Sequence, residues 1–142
     1  MKTIQHKLAG TSWSLESYQS ENKEGDVIYP LGEDAKGVIM FTPDNRLSVH
    51  IMAVDRTKEP NEEKIKKYNT EAEKQMARLG YHAYSGPISI NEEEEVLTTQ
   101  VELSVLPTYV GSKQKRAVTI KDNQLHLSNI SHPERKLVWN KL

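Results

Sequence analysis

A succession of short alternating segments, each closed by a turn and broken once by a stretch of helical period, most limits what this chain can fold into. Residues 13–20 alternate, which sets Trp13, Leu15 and Ser17 on one face of a strand and Ser14, Glu16 and Tyr18 on the other. Gly25-Asp26 reads as a turn into a short extended piece stopped by Pro30. Residues 37–42 turn at Pro43-Asp44-Asn45 into residues 47–52, a hairpin. Residues 81–90 turn at Asn91-Glu92-Glu93 into 96–106, which stops at Pro107. Residues 114–120 turn at Asp122-Asn123 into 125–128, and residues 135–142 close the series with Leu137 and Trp139 on one face. About eight strands in sequential hairpins predict an all-β, antiparallel up-and-down barrel, which removes its sheet edges by closing on itself.

The interruption lies between the hairpin ending near residue 52 and the strand from 81. Ile65, Tyr68, Ala72, Met76 and Leu79 recur at steps of three or four among dense charges, one apolar stripe on a helix over about 62–79. Asn61 suits its N-cap, Glu62 and Glu63 the positive end of the dipole, and Gly80 the stop. A stripe this thin belongs to a surface helix, acting as a lid or an end-cap.

Composition narrows the function classes. The chain has 142 residues, within the usual range for one domain, and neither a repeat nor a linker divides residues 1–142. Nineteen basic and 20 acidic residues leave a net charge of −1, so no broad field gathers nucleic acid or anionic membrane. There is no cysteine, which excludes disulfides, thiolate nucleophiles and Cys-ligated metals. The longest strongly apolar run, Val38-Ile39-Met40-Phe41, is far short of a membrane span, and residues 1–10 lack the apolar core of a signal peptide. Cytoplasmic residence is the expectation.

At several spaced stretches the residues match a known family. These are Leu8-Ala9-Gly10-Thr11-Ser12-Trp13-Ser14-Leu15, Tyr29-Pro30-Leu31-Gly32, residues 37–52, Tyr81-His82-Ala83-Tyr84-Ser85-Gly86, residues 101–111 and Leu137-Val138-Trp139. In this order, over nearly the whole chain, they resemble the bacterial and fungal lipocalin-like domain family, a branch of the small calycin-type barrels. Three positions depart from it. Ser12 stands between Thr11 and Trp13 where members read Gly-Thr-Trp, Thr99-Gln100 replaces a histidine pair, and Tyr109 replaces a tryptophan. The resemblance implies one lipocalin-like domain over 1–142: a ligand-holding, lipocalin-like barrel of about eight strands with one inserted surface helix.

The strand expected over 96–106 has two unlike faces. Leu97, Thr99, Val101, Leu103 and Val105 share one, and Gln100, Glu102, Ser104 and Leu106 the other. If Leu106 pairs with Gln114, then Ser104 faces Arg116 and Glu102 faces Val118; a one-residue slip instead aligns Arg116 with the apolar set. Gln100, Glu102, Ser104 and Arg116 are therefore candidate polar anchors in a lumen, with Glu102 as the carboxylate for Arg116. The competing reading is that this polar set faces water, as on any barrel exterior. Tyr84, in step with Gly86, Ile88 and Ile90, is expected to look inward. Tyr109 at a rim beside Pro107, and His50 in step with Ser48 and Met52, complete the candidate ligand-binding residues, although surface packing is the favoured explanation for Tyr109 and a structural or exposed place the favoured one for His50. Trp13 and Trp139 are expected to plug the closed end or seam.

Catalytic motifs are missing from the sequence. It carries no Gly-x-Ser-x-Gly elbow, phosphate-cradling glycine loop or His-Glu-x-x-His, and its five histidines show no metal-ligand spacing. Glu92 to Glu95 read as a solvated hairpin tip, and Lys113, Lys115 and Arg116 as a basic cluster too small for nucleic acid. Three functions remain. The first is binding of a small apolar or amphipathic molecule by a monomer or homodimer, with neither metal nor cofactor. The second is a cofactor-independent isomerase or cyclase using Glu102. The third is a filled barrel acting as a structural or interaction domain.

Overall fold

The computed structural model describes residues 2–142. Ten strands form: β1 (Ser12–Glu21), β2 (Val27–Ile28), β3 (Lys36–Phe41), β4 (Arg46–Met52), β5 (Tyr81–Asn91), β6 (Val96–Gln100), β7 (Leu103–Ser104), β8 (Lys113–Lys121), β9 (Gln124–Asn129) and β10 (Lys136–Lys141). Eight of them close in the order β1-β3-β4-β5-β6-β8-β9-β10 and back to β1, every pairing antiparallel. The seam falls on β1, where Trp13 lies opposite Ile39 of β3 and Lys141 of β10. β2 adds to the far end of β1, and β7 to β5. The expected eight-stranded antiparallel barrel is the architecture found.

Apolar side chains from alternate positions fill the inside: Ile39, Val49, Ile51, Leu97, Val118, Leu125 and the indoles of Trp13 and Trp139 are all buried. Each contributes roughly 1.5–3 kcal/mol relative to exposure. A five-residue helix, α1 (Ile4–Leu8), closes one end of the barrel. It buries Leu8, and its Ile4 and Gln5 amides donate to the Glu92 carboxylate at the β5–β6 hairpin. Glu92 is thus not merely a solvated tip residue, since it satisfies free amides at a helix start.

Three expected features change. The helix expected over 62–79 is two pieces, α2 (Glu62–Ile65) and α3 (Glu71–Leu79). Asn61 caps α2, Thr70 caps α3, and Gly80 ends α3 in the left-handed region at φ 68°. Between them Tyr68 turns in to bridge Asn22, so one continuous helix is replaced by a bent cap. The register of β1 shifts between Leu15 and Ser17, so Tyr18 and Ser20 are buried in place of Ser17.

The third change concerns the strand expected over 96–106, which stops at Gln100. Val101 bonds in both directions with the Gly111–Ser112 backbone, while the Glu102 amide crosses to Ser85 of β5. This irregularity reverses the alternation: Val101 is buried, Leu103 is 69% exposed, and Leu106 is buried. Gly86 makes the crossing possible, because a Cβ there would lie 2.0 Å from the Gln100 carbonyl oxygen.

Candidate binding site in the barrel lumen

The end of the barrel opposite α1 is covered by α3, which lays Met76 and Glu73 over the opening. Beneath it the lining turns polar. β5 supplies His82 and Tyr84 from successive inward positions, and the 3-10 turn at Pro107–Tyr109 supplies Tyr109. β8 supplies Arg116, the lead into β10 supplies Arg135, and Tyr18 arrives by way of the β1 bulge. The rings of His82, Tyr84 and Tyr109 form a trio with centroids 5.3, 5.3 and 5.6 Å apart. These groups enclose a cavity of about 30 Å³ whose floor is Trp139, with Ile39, Val49 and Leu127 as walls. That is room for a water molecule or two.

Charge is confined here at close quarters. Arg135 Nη2 donates to Glu73 Oε1 at 3.1 Å and to the Thr70 hydroxyl at 2.9 Å. Burial opposes its charged form, yet Tyr18, Tyr109 and Glu73 around it prevail and hold it above the ordinary arginine value. Arg116 has no carboxylate. Its guanidinium donates to the Lys115 carbonyl at 3.0 Å and to Gln114 Oε1 at 3.3 Å, and stands beside the Tyr84 hydroxyl. Burial, aided by the two guanidiniums, pushes His82 down to about 3, so its ring is neutral. Burial raises the phenols of Tyr18 and Tyr84. His82 Nδ1, Arg135 Nε and Glu73 Oε2 are buried with no hydrogen-bond partner from the protein itself. The cavity wall therefore holds two cations, and Glu73 stands behind Arg135 as the one carboxylate beside them.

The expected site residues divide. Tyr84, Tyr109 and Arg116 line the cavity. Arg116 lies opposite Leu97, the apolar-set register, and not opposite Ser104. Gln100, Glu102, Ser104 and His50 are corrected to the outside of the barrel. Gln100 follows Thr98 outward and donates to the Gly111 carbonyl. Glu102 pairs with Arg46 on the surface, so it neither partners Arg116 nor reaches the lumen. Ser104 ties its own turn by donating to the Ala83 carbonyl and accepting from the Leu106 amide. His50 is bonded to the Tyr81 hydroxyl at 2.8 Å, on an outer groove it shares with Ser104 and the exposed Leu103. Trp13 seals the α1 end, whereas Trp139 is the cavity floor.

Reading the sequence missed Tyr18, Glu73, His82 and Arg135. His82 has the same parity as Tyr84, a signal that was available. Thr70-Glu71-Ala72-Glu73 has the spacing of a capping box and would have marked the start of α3. Arg135 is likewise in step with Leu137 and Trp139 of the strand expected over 135–142, although the observed strand begins only at Lys136.

A closed eight-stranded antiparallel barrel is an architecture shared by barrels that hold one small ligand and barrels filled by their own side chains. The chain belongs to the lipocalin-like domain family, whose model matches residues 10–141. No curated protein and no solved structure matched it.

Proposed function

We propose that this barrel binds a small amphipathic molecule at its polar end, beneath α3. The observation that carries this reading is a pair of buried polar atoms in the cavity wall with no partner from the protein, His82 Nδ1 and Arg135 Nε, together with an Arg116 guanidinium that is hydrogen-bonded to Lys115 and Gln114 but has no carboxylate. Leaving such a donor or acceptor unpaired costs about 1–3 kcal/mol each, and an unbalanced charge more. A barrel with only a structural task would be more stable with apolar groups there. Convergent polar groups beside apolar walls are what a small-molecule site needs for orientation and affinity. The present cavity is too small for an organic guest, so binding requires α3 and its Glu73–Arg135 contact to move aside, and the cap is the lid.

The second reading, a filled barrel with a structural or interaction role, draws on the same small volume. Native mass spectrometry of protein purified from its own host separates the two. Retained small-molecule mass, with thermal stabilisation when that compound is added back, supports binding. At a hundredfold excess over its dissociation constant the ligand should contribute about 2.7 kcal/mol. Bare protein, together with no stabilisation by a broad metabolite panel, selects the filled barrel. Isomerase or cyclase chemistry through Glu102 loses its basis, because that carboxylate lies outside in an ion pair.

A further inference from the structure

Outside the lumen, between the start of α3 and the β8 and β9 strands, lies a surface depression of about 360 Å³. Its lining includes Lys113, Lys115, Arg116, His132 and Arg135 and no carboxylate. Two carboxylates lie close by. Glu73 is engaged by Arg135, and Glu134 sits 3.4 Å from His132 Nδ1. Among the described residues, Lys113, Lys115 and Arg116 form no ion pair. On a chain whose net charge is −1, this is a local concentration of positive charge.

Three side chains belong to both spaces: Tyr109, Arg116 and Arg135 line the depression and the inner cavity alike. They are the partition between mouth and lumen, and both arginine residues in it are more than nine-tenths buried. We infer that the ligand is a small organic carboxylate, drawn into the basic depression, whose head lies between Arg116 and Arg135 while its apolar part passes Tyr109 into the lumen. This rests on the binding reading above and adds the charge of the guest and its way in.

The chemistry favours an anion specifically. A guanidinium held out of water without a counter-charge costs several kcal/mol, and a carboxylate removes that cost through paired, charge-assisted hydrogen bonds. A neutral head would leave the excess cation in place, and a cationic head would add a second. Arg135 Nε, which has no partner, and His82, neutral beside the guanidiniums, supply further donor capacity at the same spot.

The test is calorimetric titration with matched pairs: 3-phenylpropanoate against 3-phenylpropanol and 3-phenylpropylamine, and decanoate against decanol. Each carboxylate should bind at least about tenfold tighter than its alcohol, weaken with added salt, and leave the amine without measurable affinity. Arg116→Met should lose about tenfold or more for the carboxylate, and Arg116→Lys should retain part of it. A melting temperature for Arg116→Met at or above that of the unsubstituted protein establishes that the loss is not unfolding. Lys115→Glu should slow association and leave dissociation nearly unchanged. Alcohols that bind as tightly as carboxylates, or Arg116→Met binding undiminished, would overturn the anion while leaving the binding barrel intact. No binding by any of these compounds would likewise overturn the carboxylate, and the binding barrel itself stands or falls on the native mass spectrum and the metabolite panel.

Discussion

Arg135 and Glu73 meet 3.1 Å apart inside the protein, one from the segment leading into β10 and the other from α3. Both are almost wholly enclosed, with 4% and 0% of their surface exposed. Their contact joins the cap to the barrel wall, alongside the Tyr18 hydroxyl donating to Met76 Sδ at 3.6 Å. Removing one partner strands the other charge, so Glu73→Gln should cost about 3–5 kcal/mol in urea unfolding. The double variant Glu73→Leu with Arg135→Met should recover most of that loss, because an apolar pair has no charge to desolvate. A double variant less stable than Glu73→Gln would contradict this account of the pair.

His82 makes stability depend on pH. Its folded pKa of about 3 lies below the ordinary 6.5, so the unfolded chain takes up the proton first. The contribution is complete above about 6.5 and is lost as pH falls toward about 3, at roughly 1.4 kcal/mol per pH unit. Other groups also titrate in acid, so the measurement is a difference. His82→Phe should show a shallower decline of unfolding free energy between pH 6 and pH 4 than the parent, by about that slope. Parallel curves would mean the ring is solvated.

Glu102 makes the opposite case. It pairs with Arg46 where both side chains are about half exposed. Such pairs contribute at most about 1 kcal/mol. Glu102→Gln should therefore leave the melting temperature nearly unchanged and ligand affinity unaltered. A large fall in affinity would return this residue to the site.

Gly86 is fixed by the backbone opposite it. Adding a methyl group would place Cβ 2.0 Å from the Gln100 carbonyl oxygen, and main chain on both sides would have to separate. Gly86→Ala should cost about 3 kcal/mol or more, above the usual range for overpacking, because no flexible side chain can yield. Thermal unfolding followed by circular dichroism reads it directly.

Alternation in the sequence was enough to reveal the barrel, its hairpins and the inward face of β5, because each depends on nearest-neighbour spacing. It failed where spacing is interrupted by one residue. The bulge after Leu15 turned Tyr18 inward, and the crossing at Val101–Glu102 exposed Leu103 and buried Leu106, whereas Glu102 stays outward in step with Thr98 and Gln100. Both shifts come from backbone pairing between segments far apart in sequence, which local pattern does not record. The polar enclosure suffered most, since Glu73 and Arg135 become partners only once α3 folds across the opening.

The seam between β1 and β10 also carries a kinetic consequence. Trp13 pairs with Lys141 across nearly the whole length of the chain, so the circuit cannot close until β10 has been synthesised. Until then β1 and β9 are unpaired edges available to other nascent chains. Loop closure over such a distance places this fold among slow, non-local folders. Crowded synthesis at elevated temperature is thus where its yield should suffer first.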